Sequence, residues 1–550
     1  MSSNLSELSG RQGLQNNLFE QLGRLAQETG TPSVADLEKL ADDFLIGKAN
    51  TYGSASFYDF TREENRGKKV YICNGSACLC AGTQQALTEK LSQHFEAKEI
   101  GEMCCLGRCH ENAAFHYQGA NYSGNDINHI TEICTSKKIL SDHYEVKAIG
   151  RAVLTDTISD IDTYYEIWKT ALQTSPQDLL NEINTSGLRG RGGAGFATAF
   201  KLNACRQAES SIKFIVCNAD EGDPGAYSDR YLLEHQPHRV LLGMMIAGYI
   251  CGAETGVLYI RAEYPESVRI MQDAIHQLEE KKFLGDKILQ SSFSFRFKVI
   301  QAQGAYICGE ETALLSSIEG QRPEVRVRPP YPAQQGLFNK PTVVSNVETL
   351  ACIPFIIEQG CAAFAAMGKG KSTGTKLVSL DGFFYRPGIY EVEMGTPLQQ
   401  VIDDCGQGFT TDIKAMQIGG PLGGIVPVSK IDSLSIDFES FQQGGFLLGH
   451  ASVVCLPQSF PIIHYLKHLF QFTAHESCGK CFPCRIGSTR GYEMLQKAEE
   501  GNYLLDKKLL DDLLETMEIG SLCALGGGLP LPIKNALHYF SEELSPYFAR

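Results

Sequence analysis

The chain has 550 residues, 43% of them hydrophobic, and a formal net charge of −15. That length exceeds one core and predicts three or four domains at roughly 150 residues each. The acidic balance argues against nucleic acid and anionic membrane surfaces, and no apolar run reaches the ~18 residues of a membrane-spanning helix.

The opening MSSNLSELSGRQG lacks the basic-then-apolar layout of a secretory signal, so a cytoplasmic location is expected. Leu18, Leu22, Leu25 and Ala26 recur at helical spacing, and Ser33 caps a second helix over Val34–Leu45. Val70–Ile72 reads as a buried strand, Gln84–Phe95 as a helix, and Ile100–Cys105 and Ala113–Tyr117 as further strands. Ser136–Ile149 is polar and reads as a linker. A large α/β unit begins near Gly150. Ser175-Pro176 opens a helix in it, Phe214–Cys217 and Val257–Ile260 are strands, and Val240–Cys251 is a buried helix. Past Lys376 the strands shorten (Leu377–Leu380, Gly388–Val392, Ala415–Ile418), with a helix at Pro397–Cys405. From Ser459 onward the pattern is helical.

Nineteen cysteines suit no disulfide framework in a chain of this size without a signal. Two groups stand out. Cys73-x4-Cys78 and Cys105-x3-Cys109 each follow a predicted strand, and two facing loops of this kind clasp a two-iron cluster or a zinc ion. Cys80 and Cys104 are surplus to that group. Cys478, Cys481 and Cys484 form C-x2-C-x2-C, which a distant Cys523 completes as a four-thiol site for a cluster or zinc. Lys480 and Arg485 stand beside it. The remaining cysteines, scattered singly, read as small buried apolar residues.

Between the two groups lies SGLRGRGGAGF, Ser186–Phe196, whose glycines let backbone approach a ligand and whose Arg189, Arg191 and Lys201 add positive charge. Its G-x-G-x-x-G match at Gly190 follows no evident strand, so an ordinary dinucleotide fingerprint is not supported. Two acidic segments follow, CNADEGDPGAYSDR (Cys217–Arg230) and GAYICGEETALL (Gly304–Leu315). Read alone, Glu310, Glu311 and Thr312 suit the first turn of a helix.

In this order, with PPYPAQQGL and ESCGKCFPCRIG, these segments resemble the NADH-oxidising flavoprotein subunit of respiratory complex I. They also resemble the diaphorase subunits of soluble NAD-reducing hydrogenases and NAD-dependent formate dehydrogenases. The front resembles the thioredoxin-like [2Fe-2S] subunit of the same machines, fused to it. The resemblance implies an α/β multidomain chain. Its parts are a helical lead (1–61), a thioredoxin-like [2Fe-2S] domain (62–140), a Rossmann-like FMN/NADH domain (150–372), a β-grasp domain (373–455) and a helical [4Fe-4S] domain (456–550). It implies FMN held by Gly187, Arg189, Gly190, Lys201, Asn218, Asp220, Glu221, Tyr306, Gly309, Glu310, Asn346 and Thr349. NADH would meet Phe196, Asp223, Glu311, Arg328 and Tyr331. Clusters would sit on Cys73, Cys78, Cys105 and Cys109, and on Cys478, Cys481, Cys484 and Cys523. Asp223 stands where complex I proteins commonly carry Glu, and Ala197 and Leu202 where Pro and Trp are usual. The implied activity is hydride transfer between NAD(H) and FMN, with no protein general base, and single-electron relay through clusters. The partners are other iron–sulfur and catalytic subunits of a soluble formate dehydrogenase or hydrogenase, with no nucleic acid and no membrane insertion. The alternatives are a complex I subunit and a zinc-stabilised scaffold without activity.

Overall fold

The computed structural model describes residues 14, 17–136 and 142–549. The helical lead forms as its caps dictate. Leu18–Thr29 starts at Asn17, whose side chain accepts from Phe19 N, and Val34–Asp43 starts at Ser33, which caps reciprocally with Asp36. Leu18, Leu22, Leu37 and Leu40 pack together. The lead then runs onto the large unit, where Tyr58 Oη donates to Ser317 Oγ at 2.9 Å and Asp59 N to Gly304 O at 2.9 Å.

The first cysteine group rides a four-stranded sheet ordered Ile100–Met103, Val70–Cys73, Phe115–Tyr117, Ala120–Tyr122. The first pair is parallel, with Val70 opposite Ile100; the others are antiparallel. The strand predicted to reach Cys105 stops at Met103, so Cys104 and Cys105 lie in the loop beyond it. Part of the expected linker is corrected. Glu145–Ile149 is a strand that pairs in parallel with Gly388–Val392, far along the chain. It lies at the edge of its sheet, where charged residues are the rule, so its polar composition hid it. Residues 137–141 of that stretch lie outside the described residues.

The large unit is built on four parallel strands in the order Arg296–Gln301, Thr255–Ile260, Phe214–Ala219, Thr342–Asn346. Pro237–Cys251, apolar on every side, is buried against Val347–Gln359. Gly243 allows this, because any Cβ there would collide with the Leu350 carbonyl. A six-stranded mixed sheet follows, ordered Gly424–Pro427, Ile413–Ile418, Ser452–Pro457, Thr375–Leu380, Gly388–Glu393, Glu145–Ile149. Helices Ile462–Glu476, Phe482–Glu499, Lys507–Gly520 and Pro530–Tyr539 close the chain. Seven of the scattered cysteines, including Cys217, Cys251 and Cys352, are buried as small apolar residues; Cys134 and Cys361 are partly exposed.

Candidate active site and metal centres

From the central strand Phe214–Ala219 the parallel sheet grows one way through Thr255–Ile260, while Thr342–Asn346 lies on its other side. The carboxyl ends of these two neighbouring strands therefore open a crevice at a reversal of strand order, the place where such sheets bind ligands. Asn218 and Asn346 face each other across it in register. Asn218 Nδ2 donates to Gly309 O at 2.7 Å, which draws the Gly304–Leu315 segment to the crevice. Asn346 caps Val347–Gln359 by accepting from Thr349 N, and its Nδ2 donates to Asp229 Oδ2 at 2.7 Å.

The glycine-rich segment is a loop closed on itself. Gly187 ends helix Pro176–Ser186 in the left-handed region, Arg189 pairs with Ala197, and Gly190 N donates to Phe196 O at 2.8 Å. The loop lies over the crevice. Gly192 packs so closely on Asn346 that an added Cβ would come within 2.9 Å, and Arg191 N donates to Thr349 Oγ1 at 2.8 Å. The Arg191 guanidinium is fully buried and donates to the carbonyls of Thr375 (3.1 Å), Arg189 (3.2 Å) and Thr373 (2.5 Å). The charge expected to face a ligand instead pins the loop. Arg189 is also engaged, with Glu439 and over the Phe438 ring.

At the mouth, Lys201 Nζ lies 3.2 Å from Glu311 Oε2, and Arg328 reaches Glu311 at 2.7 Å and Glu310 at 3.4 Å. Phe196 and Tyr331 are exposed beside this group, and the Phe196 ring centroid lies 6.0 Å from Lys201 Nζ. Glu310, read from the sequence as part of a helix's first turn, is the cap of helix Glu311–Ile318, accepting from Thr312 N and Ala313 N. Tyr306 Oη donates to Asp223 Oδ1 at 2.7 Å. Glu221 turns away from this group. Its carboxylate accepts from Asp229 N (2.8 Å) and Arg230 N (3.0 Å) at the start of helix Ser228–His235. Burial, then the Asp229 charge, lift Glu221 to about 7, and burial lifts Asp223. Asp220 is buried with Oδ2 lacking a hydrogen-bond partner, and burial raises it far above the carboxylate range. It lines a small cavity with Cys104, Arg261, Tyr306 and Glu476.

Both thiol groups assemble. Cys73, Cys78, Cys105 and Cys109 are all buried, and Cys105 Sγ lies 3.6 Å from Cys109 Sγ. The two loops face each other, since Gly75 sits against the Cys105 backbone. The hydrogen bond with Cys109, helped by the Arg261 charge, pulls Cys105 down to about 6, while Cys78 and Cys109, the thiols that hydrogen-bond to Cys73 and Cys105, are pushed up. In the second group, Cys481 stands immediately before helix Phe482–Glu499 and Cys523 immediately before Ala524–Gly528. Gly526 lies so near Cys484 that an added Cβ would come within 2.6 Å of Cys484 Cβ. Burial first, then the neighbouring thiols, push Cys484 up to about 11; burial first, then Glu310 and the neighbouring thiols, push Cys523 to about 12. Lys480 pairs with Glu324 at 2.9 Å. Four sulfurs in an apolar setting are the donor set of an iron–sulfur or zinc centre.

Sequence reasoning missed Asp229, His450, Arg261 and the structural use of Arg191. His450 comes from the β-rich unit but is buried against Asp229 and Glu221. Nothing in its local sequence marks it.

Comparison with known proteins decides the family. Residues 183–355 match the Nuo51 FMN-binding domain, 464–547 the NADH-ubiquinone oxidoreductase-F iron-sulfur binding region, and 6–138 the thioredoxin-like [2Fe-2S] ferredoxin. One NADH-quinone oxidoreductase F subunit of Rhizobium meliloti (strain 1021), the second of that name, is 38% identical over 69% of this chain and 91% of its own length. The chain belongs to the NADH-oxidising flavoprotein family. Another family member, the NAD-reducing hydrogenase HoxS subunit alpha of Cupriavidus necator, is 32% identical over 96% of this chain and 91% of its own. The solved NAD+-reducing [NiFe]-hydrogenase in the air-oxidized state superposes with a TM-score of 0.86 at 28% identity, covering 98% of this chain and 94% of that one. The family's cofactors are FMN, [2Fe-2S] and [4Fe-4S], with NAD as substrate. The two matched regions that carry the thiol groups are iron–sulfur regions of the family, which speaks for clusters over zinc. The crevice fits a flavin nucleotide: it offers a glycine loop at a strand-order reversal, a lysine at the mouth and an orphaned carboxylate oxygen within. No helix among the described residues is long and apolar enough to cross a membrane.

Proposed function

We propose that the chain is the diaphorase subunit of a heteromeric NAD-reducing hydrogenase, exchanging electrons between NAD(H) and a partner catalytic subunit. One observation carries this reading. Tyr306, Cys104 and Cys308 pack in one apolar cluster with Cys478, Cys481, Cys484 and Cys523, so the crevice wall and the second thiol site share one packed body. Cys104 is in turn the chain neighbour of Cys105. FMN, when bound, converts the two-electron exchange with NAD(H) into single electrons that the clusters carry.

The chain's own residues bind and orient. Asn218, Gly309, Tyr306 and Asp220 form the inner wall of the crevice; Gly187, Gly190, Asn346 and Thr349 form the floor that grips the nucleotide. Glu221 supports that floor from behind by capping helix Ser228–His235. Arg189 fixes the outer limb of the loop through Glu439. Lys201, Glu310, Glu311 and Arg328 make a nearly neutral charge network at the mouth, and Phe196 and Tyr331 supply flat apolar faces for the dinucleotide. Asp223, held by Tyr306, orients the nicotinamide end. Cys73, Cys78, Cys105 and Cys109 hold the two-iron centre; Cys478, Cys481, Cys484 and Cys523 hold the four-iron centre. The parallel unit is Rossmann-like, the six-stranded unit β-grasp, and the last helices a cluster-bearing bundle. The hydrogenase assignment rests on the match to the HoxS subunit alpha, which includes the front module. Affinity purification from the native host tests it. Recovery with a nickel–iron subunit supports the assignment; recovery with a molybdenum subunit or with membrane complex I components overturns it.

A further inference from the structure

We propose that His450 is a positioning residue for the flavin site, its charged imidazole holding Asp229, Asn346 and the glycine-rich loop in the shape that grips FMN. This rests on the flavin reading above. His450 lies in the loop before strand Ser452–Pro457, yet its ring is buried in the neighbouring unit. Nε2 is 3.3 Å from Asp229 Oδ2 and 3.7 Å from Glu221 Oε1, and Nδ1 is 3.5 Å from Ser228 Oγ. The three potential ligating atoms of His450, Asp229 and Glu221 lie within 4.8 Å of one another, a spacing that calls for positive charge. The imidazolium supplies it.

Two routes lead from this charge to the loop. Asp229 Oδ2 accepts from both His450 and Asn346, and Asn346 carries Gly192 against its Cβ. Gly449, the neighbour of His450, packs on Gly193. Without a cation, two buried carboxylates face each other. One must take up a proton or swing away, and Asn346 loses its anchor.

The charged groups around the ring are Glu221 and Asp223 after strand Phe214–Ala219, Asp229 on helix Ser228–His235, and Lys376, itself paired with Glu348. Burial alone would lower the imidazole, but Asp229 and then Glu221 outweigh it and push it up to about 9. A raised value means the stability the charge contributes is fully present below the ordinary histidine value of about 6.5, and the charge itself is lost as pH rises through about 9.

The test measures FMN binding to the full-length apoprotein by flavin fluorescence, with circular dichroism confirming the fold. His450→Gln weakens FMN about tenfold, or roughly 1.4 kcal/mol. His450→Lys keeps most of the affinity, and adding Asp229→Asn to His450→Gln recovers part of the loss. Wild-type affinity falls as pH rises through about 9, whereas the Gln variant is flat over the same range. A Gln variant with wild-type affinity, or with the wild-type pH profile, overturns the proposal. Should the Gln variant not fold, the Lys variant decides: its pH midpoint moves up toward the ordinary lysine value of about 10.4, and an unmoved midpoint overturns the proposal. Wild-type protein that binds no FMN refutes the flavin reading itself; equal binding by wild type and the Gln variant refutes only the role of His450.

Discussion

Replacing Arg191 by Met separates two uses of a cation in a glycine-rich loop. If the guanidinium faced the ligand, its loss would weaken cofactor binding and leave the fold intact. In the structure it is fully buried, with donors on the carbonyls of Thr375, Arg189 and Thr373. Methionine fills much of the volume but offers no donor. One buried carbonyl, that of Thr375, and two partly buried ones then lose their partners, at about 1–3 kcal/mol each where burial is complete. Relaxation of the loop keeps the total near the lower end, about 3 kcal/mol. For a cooperative unit of this size that lowers the melting temperature by about 6–12 °C. Differential scanning calorimetry of the FMN-free protein reads this directly, before any ligand contributes. A variant that melts within about 2 °C of wild type yet binds FMN poorly would refute the structural reading of Arg191.

Other outcomes follow from the same geometry. Cys481→Ser removes one thiolate from the second centre. NADH still bleaches the flavin band, while iron content falls to that of the two-iron centre and electron delivery to a partner stops; normal delivery would contradict the relay order. NADPH bleaches the flavin poorly, because Lys201 and Arg328 are already committed to Glu311 and leave little net charge for a 2′-phosphate; comparable KM values for the two nucleotides would contradict this. Asp142→Ala leaves Arg108, Arg230 and His110 without their shared carboxylate. The loss of about 3–5 kcal/mol from this buried cluster loosens the front module from the large unit, and limited proteolysis then cuts near residue 142 faster than in wild type.

The helices were legible wherever a cap and an apolar stripe coincided, as at Ser33 and at Ser175-Pro176, because those signals are local. The cysteine groups were legible because ligand spacing is a property of the chain itself. Glu145–Ile149 was not, since an edge strand needs no apolar alternation and its partner lies more than two hundred residues away. The crevice depends on strand order, which the sequence does not display. Gly190 therefore carried a familiar glycine spacing without the strand that usually precedes it. Its loop follows a helix, and its support comes from Asn346 and Thr349 on a distant strand and helix. Arg191 and Glu221 carry charge that composition assigns to ligand, yet burial commits them to carbonyls and helix amides. His450 gave no signal, because its charge is set by Asp229 and Glu221, over two hundred positions earlier.

An anaerobic NADH titration of freshly isolated protein, followed by absorbance and electron paramagnetic resonance together, tests the central claim most directly. Loss of the flavin band accompanied by signals from two distinct reduced iron–sulfur centres is the predicted result. Protein that carries zinc in place of iron, or whose flavin bleaches while no cluster signal develops, would contradict it.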